Sequence, residues 1–101
     1  MANFTLTIGL NDKDTLRQEI ETSKAIDLIT NTIEHDMTIK QGNIGVYTMA
    51  SGQRVVENSL DVLLYGIEKT LANKYAKKLC KVLNQESIIL VENTIQPEFI
   101  S

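Results

Sequence analysis

The sequence has very few of the residues from which disulfide, metal and redox sites are built. It contains one cysteine, one histidine, one proline and no tryptophan in 101 residues. The single cysteine, Cys80, cannot form a disulfide within its own chain. No catalytic or metal-binding motif stands out, and no cofactor or metal is predicted.

Long apolar runs are also missing. The longest fall far short of the ~18 residues that a membrane span requires. Residues Met1 to Leu10 lack a basic region followed by a long apolar stretch, which would mark a signal peptide. These absences predict a soluble, cytoplasmic protein with no membrane contact.

The length and composition are typical of one ordered domain, residues 1–101. Hydrophobic residues make up 43% of the chain, which is enough to fill a core. The net charge is −3. Nucleic-acid binding is not predicted, because duplex affinity depends largely on Lys and Arg that neutralise phosphates.

Alternation of apolar and polar residues predicts four strands. The first covers about Asn3 to Leu10, and the second extended region covers Met37 to Met49. A bend or bulge is expected in the second at Gly42 and Gly45.

A hairpin turn at residues 50–53 leads into the third strand, about Arg54 to Tyr65, where Leu63 and Tyr65 should face away from the core. The fourth strand is Ser87 to Asn93, and Pro97 should end regular pairing.

Helical spacing of apolar residues predicts two helices. The first is predicted at Ser23 to Glu34, with its start left open between Thr15 and Ser23. The second is predicted at about Ile67 to Leu83.

The element order is therefore βαββαβ, the ferredoxin-like plan of the α+β class. Right-handed crossovers predict an antiparallel sheet of strand order 4-1-3-2 with both helices on one face. This topology brings three loops to one end of the molecule, at residues 11–15, 51–54 and 84–87.

This end is rich in polar side chains and is the predicted ligand site. The candidate residues are Asn11, Asp12, Asp14, Thr15, Arg54, Gln85, Glu86 and Ser87. The alternative is that they are ordinary turn and capping residues. The acidic residues among them do not match a calcium-loop pattern.

The remaining polar features have simple structural interpretations. His35 is expected at the end of the first helix, where a cation complements the helix dipole. Cys80 is expected to be a partly buried helix residue rather than a reactive thiol. The lysines at 74, 77, 78 and 81 are interpreted as a solvated helix face, with contact to an acidic partner or to a nucleic-acid phosphate as the alternatives.

The sheet face that the helices leave uncovered should be polar, but its residues are mixed. Exposed apolar patches usually mark interfaces. We therefore predict a homodimer that uses Tyr47, Met49, Leu63 and Tyr65. The alternative is a monomer in which residues 97–101 cover the patch.

Four short segments carry a resemblance: Gly9-Leu10-Asn11-Asp12, Gly45-Val46-Tyr47 with Ser51-Gly52, Val56-Glu57-Asn58-Ser59, and Asn84-Gln85-Glu86-Ser87-Ile88. In this order they resemble small bacterial proteins of unknown function, in which "QES" opens the last strand. The resemblance implies a ferredoxin-like fold and implies no activity.

The sequence favours a non-enzymatic, homo-oligomeric module that binds a small ligand or a protein. One alternative is a small dimeric enzyme of the same fold, for which Tyr47, Glu57 and Arg54 are the best catalytic candidates. Another is an accessory protein of a phage or mobile element that blocks a host factor.

Overall fold

The computed structural model describes residues 1–94 and 98–100. The strands are β1 (Ala2–Gly9), β2 (Met37–Thr48), β3 (Arg54–Ile67) and β4 (Ile89–Asn93), and the helices are α1 (Thr22–Thr32) and α2 (Lys69–Val82). All strand pairs are antiparallel, in the order β2-β3-β1-β4. The predicted ferredoxin-like fold is confirmed, since 4-1-3-2 is the same order read from the other edge.

The core lies between the helices and one face of the sheet. In the central pair, Ile8 of β1 lies opposite Leu60 of β3, and Leu6 lies opposite Val62. These side chains are buried in one cluster with residues of both helices, including Ile29 of α1. Both helices therefore cover the same face, and we call the opposite face the outer face.

The hairpin of β2 and β3 contains the predicted bulge. The register between the two strands shifts between Lys40 and Asn43, and Gly42 in this segment has a φ of +84°. A residue without Cβ adopts such a φ without strain. Gly45 differs from the prediction, because it pairs regularly with Glu57.

The element boundaries differ from the predictions by a few residues. α1 starts at Thr22, near the later limit of the interval from Thr15 to Ser23 that the sequence leaves open, and residues 16–21 are not helical. Leu16 has a φ of +61°, which a helix does not allow. β3 continues through Gly66 to Ile67, so Ile67 belongs to a strand and not to α2.

His35 does not have the predicted role at the end of a helix. α1 ends at Thr32, and its last turn contains no basic residue. The Nε2 atom of His35 instead lies 2.6 Å from the Tyr65 carbonyl oxygen. Because a carbonyl oxygen only accepts, Nε2 carries the proton and donates it, which ties the start of β2 to the end of β3.

None of the helices formed by residues 1–94 and 98–100 has the length and apolar character needed to cross a membrane.

The two faces of β3 predict different costs of mutation for adjacent residues. Leu64 is fully buried, whereas Leu63 is half-buried on the outer face. We expect Leu64→Ala to lower the free energy of unfolding by about 2–5 kcal/mol, because it leaves a cavity in the core. Leu63→Ala should cost less than about 1.5 kcal/mol. Urea denaturation of both variants measures the difference, and a larger cost for Leu63→Ala would contradict the face assignment.

Candidate functional site

A cleft of about 260 Å³ opens on the outer face, near the end where the three polar loops meet. Residues of all four strands and of the connection between α2 and β4 line it. They are Thr7, Gly9, Gly45, Val46, Tyr47, Thr48, Glu57, Ser59, Gln85, Ser87 and Ile89. Most of the exposed lining surface is apolar, although seven of the eleven residues carry a polar side-chain group. A largely apolar surface with converging polar groups is usual for small-molecule sites.

Glu57 on β3 is the carboxylate of this cleft, and its side chain is only 4% exposed. Its Oε1 atom accepts a hydrogen bond from the Asn11 backbone N–H at 2.7 Å. Its Oε2 atom is buried and has no partner of good hydrogen-bond geometry in the described part of the chain, although the Tyr47 hydroxyl lies close enough to interact with the carboxylate. Buried polar atoms without partners are rare, because each costs about 1–3 kcal/mol or more when charged. This oxygen is therefore the best candidate for contact with a ligand.

Glycine at position 9 makes room for the Glu57 carboxyl group. Gly9 lies opposite Ser59 at the end of β1, on the outer face. A Cβ atom at position 9 would overlap the carboxyl carbon and both carboxyl oxygens of Glu57. The observed position of the carboxylate therefore requires glycine there.

Tyr47 on β2 brings a hydroxyl group to the same cleft. Burial raises the pKa of Tyr47 from 10.0 to about 12, and the negative charge of Glu57 and its interaction with the hydroxyl contribute next. Glu86 adds a smaller effect in the same direction. Tyr47 is therefore neutral near pH 7, where it serves as a hydrogen-bond donor rather than as a base.

The structure confirms that the three polar loops lie together. The Asn84 side-chain amide donates to Oδ2 of both Asp12 and Asp14, each at 2.9 Å. The Gln85 amide donates to the Asn11 carbonyl oxygen at 2.6 Å. The Ala50 backbone N–H of the hairpin donates to Glu86 Oε1 at 3.1 Å.

The eight predicted ligand residues have different environments. Gln85 and Ser87 line the cleft, and Asn11 holds Glu57 through its backbone. Thr15 donates to Glu19, and the exposed Arg54 lies outside the cleft lining.

Asp12 and Asp14 are hydrogen-bonded acceptors in a loop. The Asn84 amide, followed by the backbone N–H of Asp14, lowers the pKa of Asp12. Among residues 1–94 and 98–100, no group of three His, Cys, Asp or Glu side chains converges on a common point.

The four predicted interface residues also lie in different parts of the structure. Tyr47 belongs to the cleft, and Met49 lies in the hairpin turn, where its N–H bonds the Gln53 carbonyl. Leu63 is half-buried on the outer face. Tyr65 packs edge-on against Phe99, with ring centroids 6.0 Å apart. The chain end thus covers part of the patch, while Pro97 and Ser101, named in the monomer alternative, lie outside the described residues.

Cys80 is half-buried in α2, as expected for a structural residue. Burial raises the pKa of its thiol, and Lys13 opposes that effect. The lysines of α2 line a shallow groove on the exposed side of the helix.

Sequence reasoning missed the cleft because it searched the loops rather than the outer face. The available signal was the placement of Gly9 and Gly45 in predicted strands, since missing side chains there leave space on a sheet face. Glu57 was named only for the enzyme alternative, and Tyr47 was named for that alternative and for the dimer interface; both residues line the cleft.

Two solved structures are similar to this chain over nearly its whole length. A phage SAM lyase in complex with S-methyl-5'-thioadenosine matches with a TM-score of 0.69 and 23% sequence identity, covering 98% of this chain and 92% of that chain. A phage SAM lyase in the apo state matches with a TM-score of 0.67 and 21% identity, covering 98% and 91%. No protein-family model and no curated protein matches the chain. These likenesses show the fold.

The coupling of Tyr47 to Glu57 predicts a change in titration. In Glu57→Gln the pKa of Tyr47 should fall below about 12, yet stay above its ordinary value because burial, the largest cause, remains. Nuclear magnetic resonance of ¹³C-labelled tyrosine measures the midpoint of the Tyr47 titration.

Asp61→Asn is the matched control, because it removes another outer-face carboxylate that does not contribute to the Tyr47 shift. Since folding raises the pKa of Tyr47, its contribution to stability is present below pH 10 and is lost as the pH rises towards 12. Equal midpoints in wild type and Glu57→Gln would contradict the coupling.

Proposed function

We propose that this protein is a lyase acting on S-adenosylmethionine or a closely related sulfonium compound, with the outer-face cleft as its active site. The observation that carries the proposal is the buried Oε2 atom of Glu57, which lacks a partner among the described residues. The similarity to two phage SAM lyases supports the choice of substrate.

The charge of the ligand is the first argument. A sulfonium sulfur carries a positive charge that no deprotonation can remove, and S-adenosylmethionine also carries an α-ammonium group. A buried carboxylate is costly unless it is paired. Within residues 1–94 and 98–100, no Lys, Arg or His forms an ion pair with Glu57. A cationic ligand would supply the missing partner.

The shape of the site is the second argument. The cleft volume of about 260 Å³ lies just below the ~300 Å³ at which typical ligand pockets begin. The cleft would hold the sulfonium and its aminobutyrate arm, while the adenosine extends over the open outer face.

The chemistry assigned to the cleft is cleavage without water. Release of S-methyl-5'-thioadenosine breaks the bond between sulfur and the aminobutyrate carbon, and the bonding electron pair returns to sulfur, which becomes neutral. The carbon fragment either cyclises through its own carboxylate or loses a β-proton. Glu57 is the carboxylate that lines the cleft and would act as the base in the second route.

The non-enzymatic module favoured from the sequence would use the same cleft, so turnover separates the two functions. The phage source of the similar lyases supports the phage-accessory interpretation, now as an enzyme rather than as a protein that blocks a host factor.

Incubation of the purified protein with S-adenosylmethionine should yield S-methyl-5'-thioadenosine, detected by mass spectrometry together with the four-carbon product. Glu57→Gln should weaken binding of S-adenosylmethionine about 10- to 100-fold, because a charge-assisted contact of about 1.5–3 kcal/mol is lost. In the same variant, the affinity for the neutral thioether S-methyl-5'-thioadenosine should change less than about threefold.

Calorimetry with both ligands measures these affinities, and Asp61→Asn is the matched control on the outer face. Absence of both turnover and binding in the wild-type protein would refute the proposed function. Equal losses for both ligands in Glu57→Gln would refute the role of Glu57 as the counter-charge.

We also propose that the protein is a homodimer that pairs along the edge strand β4, which leaves the rest of the outer face open to the ligand. On β4, Ile89 is 58% exposed and Val91 is 50% exposed. Their β1 partners Thr7 and Thr5 lie on the outer face. The Phe99 contact covers Tyr65 but leaves this apolar edge open. Such edges tend to associate.

Val91→Asp should shift the dimer to monomer at micromolar concentration without unfolding it, because it places a charge in the proposed interface. Val82→Asp, an equivalent change at a 46% exposed site on α2, is the control and should leave the dimer intact. Light scattering gives the mass of each variant. A wild-type mass equal to one chain would contradict the dimer.

A further inference from the structure

The loop after β1 forms a direct link between Glu57 and the connection after α2. The Asn11 N–H donates to Glu57 Oε1 at 2.7 Å, while the Asn11 carbonyl oxygen accepts from Gln85 Nε2 at 2.6 Å. Gln85 is buried, so water does not compete strongly for this bond. The backbone N–H of Asn11 is thus bonded to β3, and its carbonyl oxygen is bonded to the connection between α2 and β4.

Asn84 fastens the next part of the same loop. Its amide donates to Oδ2 of Asp12 and Asp14, and its carbonyl oxygen accepts from the Lys13 N–H at 3.0 Å. The three consecutive loop residues Asp12, Lys13 and Asp14 therefore all form hydrogen bonds with Asn84. Asn84 has a φ of +49°, a left-handed conformation that asparagine tolerates better than most residues.

These bonds determine where the Glu57 carboxylate lies. Gly9 leaves the space for it, and the Asn11 N–H fixes Oε1 and so leaves Oε2 as the oxygen without a described partner. The loop residues themselves are partly or fully exposed, so packing alone does not hold them. The Asn11 side chain also donates to the carbonyl oxygens of Leu16 at 3.2 Å and Val56 at 3.4 Å. The hydrogen bonds from Asn84 and Gln85 add to these and fix the Asn11 N–H relative to the connection after α2.

We propose that residues 11–14 with Asn84 and Gln85 form a positioning strap that orients the Glu57 carboxylate towards the ligand. This inference rests on the proposed function for its ligand, but not for its geometry. Asn84 is a positioning residue, because it does not line the cleft and acts through the loop. Gln85 acts in the same way through Asn11, although it also lines the cleft.

The sharpest variant is Asn84→Gly. Glycine adopts the positive φ at this position without strain, so the backbone is preserved while the amide is removed. We expect kcat for S-adenosylmethionine cleavage to fall about 10- to 100-fold, as for small misplacements of catalytic groups, and KM to rise, because the displaced carboxylate also pairs less well with the cationic ligand. Asn43→Ala is the matched control, because it removes an amide–carboxylate bond of 3.0 Å to Asp61 and should leave both parameters unchanged.

Two readouts need no ligand. In Asn84→Gly the amide proton of Asn11 should exchange with solvent about tenfold faster or more, because its hydrogen bond is populated less. The ¹³C chemical shift of the Glu57 carboxyl carbon, measured at a single neutral pH, should change as well. Gln85→Met keeps the length of the side chain, removes the donor to Asn11 and should reproduce both changes if Asn84→Gly does not fold.

The outcomes separate the strap from the proposed function. If the wild-type protein neither binds nor cleaves S-adenosylmethionine, the proposed function fails, and the Asn11 and Glu57 readouts still decide the strap. If Asn84→Gly loses activity while the Asn11 exchange rate and the ¹³C chemical shift of the Glu57 carboxyl carbon stay at their wild-type values, the strap is overturned. Unchanged readouts together with unchanged kcat overturn it as well.

Discussion

The antiparallel pairing of β1 with β3 is the constraint on which the rest of the molecule depends. Because side chains alternate along both strands, the register that places Ile8 opposite Leu60 also places Gly9 opposite Ser59. The first pair lies in the core beneath the helices, and the second lies on the outer face beside the cleft. A slip of one residue would move the apolar set to the outer face and would fill the cleft.

The same pairing helps a small protein to tolerate a buried carboxylate in which one oxygen, Glu57 Oε2, has no partner among the described residues. Core residues such as Leu6 and Val62 are completely buried, and they supply stability on the face that the helices cover. The opposite face is then free to hold a group that costs stability in the absence of ligand. Local strain or unsatisfied groups of this kind tend to occur where a protein binds or reacts.

Much of the fold was predictable because its signals are local. Alternation along β1 and β3 and helical spacing in α2 predicted the elements, and chain connectivity predicted the sheet order. The start of α1 was ambiguous because residues 16–21 have a plausible helical composition, and only the left-handed Leu16 and its surroundings exclude a helix there. The end of β3 was misplaced because Gly66 resembles a strand terminator, whereas pairing of Ile67 with Ala2 carries the strand past it.

The order of the elements and the two faces of the central strands could be predicted from the sequence, because they follow from periodicity. The proximity of the three polar loops at one end could also be predicted, because it follows from chain connectivity. Which polar groups line the outer-face cleft depends on contacts between residues that are distant in the sequence. The hydrogen bond from Asn11 to Glu57 joins residues 46 positions apart, and the space left by Gly9 matters only once Glu57 lies beside it. Burial, and with it the unpaired state of one carboxylate oxygen, is a property of packing that no local pattern encodes.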